Sequence, residues 1–217
     1  MNIIFNLFNQ ILSSIFNFTG DWGISIIFLT ILVRIILVPF SIKQKSEMYN
    51  QQRISQKIQD IKSKYKNNEK RIKEETVKYE QQLAKSTLGC LVTFIQLPIL
   101  FTLYNVVMKM PVQVGTIILP WVSSIKLCDS YYIVPIIYGL ISICPQLITN
   151  LDYFKVLKEV KLSKTSLIIT SIFSILITIK APIALGLYFI TTSLFTLFEE
   201  IGYRLYIKKF SVVSSNS

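Results

Sequence analysis

The sequence predicts an all-α integral membrane protein: five transmembrane helices, an interfacial helix before them, and a cytosolic helical hairpin between the first two spans. Three observations lead there. Of 217 residues, 52% are hydrophobic and only 16% charged, where a soluble domain carries about 25% charged residues. Mean hydropathy is +0.51. The charges gather in one block, 43–85, and in two short stretches between apolar runs; those runs are long enough to cross a bilayer, which takes roughly 20 helical residues.

Residues 1–20 come first. Ile4, Leu7, Phe8, Ile11, Leu12, Ile15 and Phe16 repeat at helical period, with Asn6, Asn9, Gln10, Ser13 and Asn17 opposite. That pattern predicts an amphipathic helix in the membrane interface; a loose first span is the alternative. No Lys or Arg precedes the apolar part, as an ordinary signal peptide would require.

A five-span core is expected over 21–205, with spans at about 22–42, 87–108, 131–149, 165–179 and 183–198. Trp22 is a candidate interface anchor, and Lys43 and Lys45 mark the opposite surface. The polar segment 43–86 holds twelve Lys/Arg against six Asp/Glu. Within it, Ile54, Ile58, Ile61 and Tyr65 form a heptad-like seam, Asn67-Asn68 signals a turn, and Ile72, Tyr79 and Leu83 continue a weaker stripe. Two antiparallel helices over 45–85 are expected, against a disordered loop. The fourth and fifth apolar runs are short. Fifteen or sixteen helical residues reach roughly 22–24 Å, against a hydrocarbon core of about 30 Å. Residues 206–217 form the tail.

Segments 43–86, 150–164 and 199–217 hold most basic residues, whereas 1–21, 109–130 and 180–182 hold three Lys. The positive-inside rule then places the amino terminus outside and the carboxyl terminus, hairpin and tail in the cytosol. Five spans give the odd number of crossings this requires.

Composition excludes several chemistries. The chain has no histidine, which removes histidine bases, serine–histidine proteases and histidine metal sites. Asp21, Asp60, Asp129 and Asp152 all fall at or beyond span ends, so no intramembrane aspartyl pair is expected. Cys90, Cys128 and Cys144 have no metal-binding spacing.

Arg34 lies in the first span, about 13 Å of helix from Lys43. An arginine at that depth costs about 2.5–3.5 kcal/mol on insertion scales, so it should face protein or water. It is either a structural arginine bonded to backbone carbonyls or the charge of a hydrated pocket. Other polar residues recur on single helix faces: Thr30 with Arg34, Thr93 with Gln96, Ser142 with Gln146, Thr170 with Ser174 and Thr178, and Tyr188 with Thr192 and Thr196. Each line alone is equally explained by Ser and Thr gluing helices together. Several lines and one arginine point to a groove.

Three segments, WGISIIFLTILVRIILVPFSIKQ (22–44), GCLVTFIQLPILFTLY (89–104) and APIALGLYFITTSLFTLFEE (181–200), resemble the first, second and last core spans of the YidC/Oxa/Alb family, and the similarity covers about 22–205. The resemblance implies a membrane-protein insertase or chaperone of the cytoplasmic membrane. It implies that Arg34 is the groove arginine, with Thr30, Gln146 and Phe189 lining the same groove; the polar lines add Gln96, Tyr188 and Thr192. Here Phe189 stands where the family usually has Trp or Tyr, Glu199-Glu200 where it has Gln-Gln, Ser193 near a usual Asn, and Val92 at a usual proline. Expected partners are nascent membrane-protein clients, membrane lipids, the ribosome and the Sec translocon, and no DNA. No enzymatic activity, metal or other cofactor is expected. The rival readings are a small transporter or channel with an arginine anion site, and a structural assembly factor.

Overall fold

The computed structural model describes residues 2–65, 68–85, 88–109, 115–148, 151 and 164–215, with side chains omitted at 2–4, 83–95 and 209–215. The side chains of Ile4, Leu83, Cys90 and Thr93 and the connection 152–163 lie outside the described residues. All regular structure among them is helical: α1 (Asn2–Thr19), α2 (Trp22–Lys64), α3 (Glu69–Lys85), α4 (Leu88–Lys109), α5 (Ile133–Ile148), α6 (Lys164–Ile179) and α7 (Ile183–Ser215).

The exposed surface is that of a membrane protein. On α2, Phe28, Leu32, Ile35, Ile36 and Phe40 are exposed at helical spacing, a stripe no aqueous protein would leave bare. On α6, Ile168, Ile169, Ile172, Phe173 and Leu176 are exposed likewise. Helices α2 and α7 are long and apolar enough to cross a bilayer.

Helix α2 starts where Asp21 caps it, its Oδ1 accepting the Ile24 N–H at 2.8 Å. Gly20 makes the corner from α1 with φ +69, a conformation that costs glycine nothing. Phe16 stacks on Trp22 across that corner, ring centroids 4.0 Å apart. The apolar stripe of α1 is largely covered by protein: Leu12 is fully buried, and Phe5, Phe8, Ile11 and Ile15 pack on the same core. Leu7 and Phe18 remain exposed. Amphipathicity in α1 therefore serves packing against α2 and α4, as well as any contact with lipid.

Helix α2 passes without a break from the apolar 22–42 run into the charged region, and α3 packs back on its distal half. Asn68 caps α3 through its side chain, which accepts the Arg71 N–H at 3.2 Å. Ile58 and Thr76 are the buried pair between the two helices; Thr76 fills the gap in the Ile72–Tyr79 stripe.

Helices α5 and α6 are sixteen residues each, about 24 Å long. They pack closely because Gly139 on α5 leaves room for Ile175 on α6, and Gly186 on α7 leaves room for Val134 on α5. The short fifth apolar run is carried on a longer helix: α7 has 33 residues. Its apolar run does end at Phe198, but the helix continues through Glu199 and Glu200. An i,i+4 pair between Glu200 and Arg204 at 2.7 Å supports that continuation. Counting apolar residues measures the span, not the helix that carries it.

The core is concentrated at the end of the bundle near the 115–132 loop. Leu12, Ile26, Leu29, Leu103, Val106, Val107, Leu119, Ile125, Val134 and the 183–188 stretch of α7 are buried together there. The loop is tied into it by backbone bonds from Ile183 N–H to Leu127 O and Ala184 N–H to Ile125 O, both 2.9 Å. Asp21 Oδ2 accepts the Ile117 N–H at 2.7 Å, and Oδ1 accepts the Thr116 hydroxyl at 2.8 Å. Toward the hairpin end the helices part.

Candidate functional site

Where the helices part lies a cavity of about 730 Å³ between α2, α5 and α7, with single contributions from α4 and α6. Along α7 its lining runs from Phe189 to Ile207, about 27 Å of helix. Arg34 lines it on α2, one turn beyond the buried Leu29 and Thr30. The structure brings Arg34, Gln96, Gln146, Phe189 and Thr192 to this one cavity.

Thr30 and Tyr188 lie elsewhere. Both are almost wholly buried, in the core that closes the cavity. The Thr30 hydroxyl donates to the Ile26 carbonyl at 2.6 Å, the bond a transmembrane threonine makes when it faces packed protein. Tyr188 sits near enough to Arg34 for the two groups to interact electrostatically, and its ring meets Phe189 edge-on at 5.6 Å. The other polar lines divide in the same way. Thr196 lines the cavity while donating to Thr192 O at 2.9 Å, whereas Ser174 and Thr178 are buried. Gln146 Nε2 donates to Thr170 Oγ1 at 3.1 Å, which joins α5 to α6 beside the cavity. Tyr138, which the sequence did not single out, stacks on Phe189 at 5.2 Å.

The hairpin end of the cavity is charged. Lys45 Nζ meets Glu200 Oε2 at 2.7 Å, and Arg204 Nε meets Glu200 Oε1 at 2.7 Å, so one carboxylate joins α2 to α7. Burial pushes Glu200 up, but the two cations outweigh it and hold its carboxyl below the ordinary range. Glu199 differs. Burial pushes it up; Lys45, Arg34 and a Ser41 hydrogen bond oppose this, Glu200 adds to it, and the carboxyl ends above its ordinary value. Among the described residues Arg34 has no direct ion pair, and Glu199 is the acid whose charge reaches it. Reading the span alone finds no acid for Arg34, because Glu199 stands just past the apolar run and returns to the cavity only through the continued helix.

No group of three or more His, Cys, Asp or Glu side chains suited to a metal occurs among the described residues. What the arrangement offers is a recess lined by polar and charged side chains, walled by helices and closed at one end by a packed core.

Fold and site together define a helical membrane protein with a half-closed polar groove. A family model described as the 60Kd inner membrane protein matches residues 14–210, and the chain belongs to that family, the YidC/Oxa group of membrane proteins. It is 30% identical over 205 residues to the membrane protein insertase YidC of Fusobacterium nucleatum, covering 92% of this chain and 96% of that protein. It is 28% identical to that of Caldanaerobacter subterraneus, covering 88% of this chain and 89% of the other. With that of Aquifex aeolicus it shares 33% identity over 86% of this chain but only 36% of the longer protein.

Proposed function

We propose that this chain is a membrane-protein insertase and chaperone of the cytoplasmic membrane, and that the cavity around Arg34 receives hydrophilic stretches of newly made membrane proteins. The observation that carries the reading is the placement of an arginine without a direct ion pair in a polar recess otherwise walled by lipid-exposed helices; the names of the relatives support it. In water-depleted surroundings a client carboxylate or polar loop would be costly. Water and Arg34 lower that cost part-way across, and the short α5 and α6 favour a locally thinned bilayer. The apolar client helix then leaves sideways into lipid. No covalent bond is made or broken.

In this reading five spans cross the membrane, with the amino terminus and the 115–132 loop outside and the hairpin and carboxyl terminus in the cytosol. The packed core seals the outer half and the groove opens inward. The basic hairpin is a candidate ribosome contact, and the Sec translocon a candidate neighbour.

Depletion tests the proposal against a transporter. Loss of an insertase strands client membrane proteins outside the bilayer while solute uptake is kept. Altered uptake of an anionic solute with normal client insertion would sink it.

A further inference from the structure

The groove holds five charged residues, Arg34, Lys45, Arg204, Glu199 and Glu200, and they are not equivalent. Lys45, Glu200 and Arg204 satisfy one another through two contacts of 2.7 Å. Arg34 and Glu199 remain without a direct ion pair among the described residues, on facing helices. One Glu199 oxygen, Oε1, is buried and has no hydrogen-bond partner among the described residues. A carboxylate in that position does two things. It offsets the positive field that Arg34 and Lys45 project into the groove, and its own charge opposes the entry of a second carboxylate beside it.

We propose that Glu199 is the charge-selectivity determinant of this groove: its carboxylate weakens the pull of Arg34 on acidic client segments and favours neutral polar segments instead. The inference rests on the insertase reading above. The groups facing Glu199 are Lys45, Arg34, Ser41 and Glu200. Three of the four, Lys45, Arg34 and Ser41, favour its charged form.

The test uses the full chain in proteoliposomes with two clients identical except for their translocated tails, one bearing two Asp and the other two Asn. Glu199→Gln keeps the size of the side chain and removes the charge. The Asp-to-Asn insertion ratio should rise about fivefold, equivalent to about 1 kcal/mol, and Glu199→Asp should keep the wild-type ratio. A loss of folded protein lowers both clients together and leaves the ratio alone. An unchanged ratio in Glu199→Gln, with the wild type inserting both clients, overturns the selectivity and leaves the insertase reading standing. Failure of the wild type to insert either client overturns both. Should Glu199→Gln not accumulate, a photocrosslinker at position 196 in the otherwise wild-type chain decides: it should capture the Asn tail more than the Asp tail, and equal capture overturns the proposal.

Discussion

Asp21 ties the α1–α2 corner to the 115–132 loop, and its replacement gives a graded prediction. Its two oxygens accept three hydrogen bonds of 2.7–2.8 Å, from Ile24 N–H, Thr116 Oγ1 and Ile117 N–H, and the residue is buried. All three partners donate. In Asp21→Asn the retained oxygen can serve Ile24 and Thr116, but the new amide faces the Ile117 N–H, donor against donor. Leaving that amide unsatisfied costs about 1–3 kcal/mol. Asp21→Ala loses the Ile117 bond and the helix cap, the cap alone being worth about 0.5–2 kcal/mol, and leaves the Thr116 hydroxyl to find another acceptor. The total is about 1.5–5 kcal/mol. Thermal unfolding in mild detergent should rank wild type above Asn above Ala, with faster hydrogen exchange at the Ile117 amide in both variants. Burial pushes the Asp21 carboxyl up, but its hydrogen bonds outweigh this and hold it below the ordinary value. Its contribution is therefore complete above the unfolded-state pKa and is lost as pH falls through the lower folded one. A wild-type midpoint in Asp21→Asn, or Ala no worse than Asn, would refute the assignment of Asp21 as the tie between the α1–α2 corner and the loop.

Three further outcomes are expected. Arg34→Lys, which keeps the charge and loses the fork, should retain most insertion, while Arg34→Ala should lose tenfold or so, about 1.4 kcal/mol, on clients with acidic tails and less on uncharged ones; equal effects on both tails in an insertion assay, with variant abundance unchanged, would contradict a charge role. Replacing Ile58 and Ile61 with Asp should loosen the α2–α3 hairpin, seen as faster proteolysis within 45–85, while the spans remain in the membrane fraction. Single cysteines at 62 and at 121 should be labelled by an impermeant reagent in intact cells only at 121; labelling at 62 would reverse the topology.

The parts of this molecule legible in sequence are those where one residue type meets one physical demand. Trp22 beside Asp21 opens α2, Asn68 opens α3, and a lone arginine within an apolar run must turn to something polar. The helical repeats put Gln96, Gln146 and Thr192 each on a polar face of its own helix; only the packing of the helices brings these residues to one cavity with Arg34. Thr30 misled, because a threonine four residues from an arginine shares its face at that level but lies one turn nearer the packed core. Tyr188 misled for the same reason, its neighbour Phe189 taking the lining position. The charged mouth escaped notice because Lys45, Glu199, Glu200 and Arg204 read singly as residues beyond span ends. Only the unbroken continuation of α2 and α7 brings them together across more than 150 residues of chain, as in the 155-residue separation of Lys45 from Glu200. The use of α1 was only half legible: periodicity shows an apolar face and is silent on whether protein or lipid covers it.

In the proposed function, client chains pass through the groove and not along the outer wall of the bundle. A photocrosslinker placed at Gln96, Gln146 or Phe189, which line the cavity, can be compared with one at Phe173, which is 62% exposed on the lipid-facing side of α6, using a ribosome-stalled membrane-protein client. The account predicts strong adducts from the three groove positions and little from 173. Adducts at 173 equal to or stronger than those in the groove, for a client that goes on to insert, would contradict it.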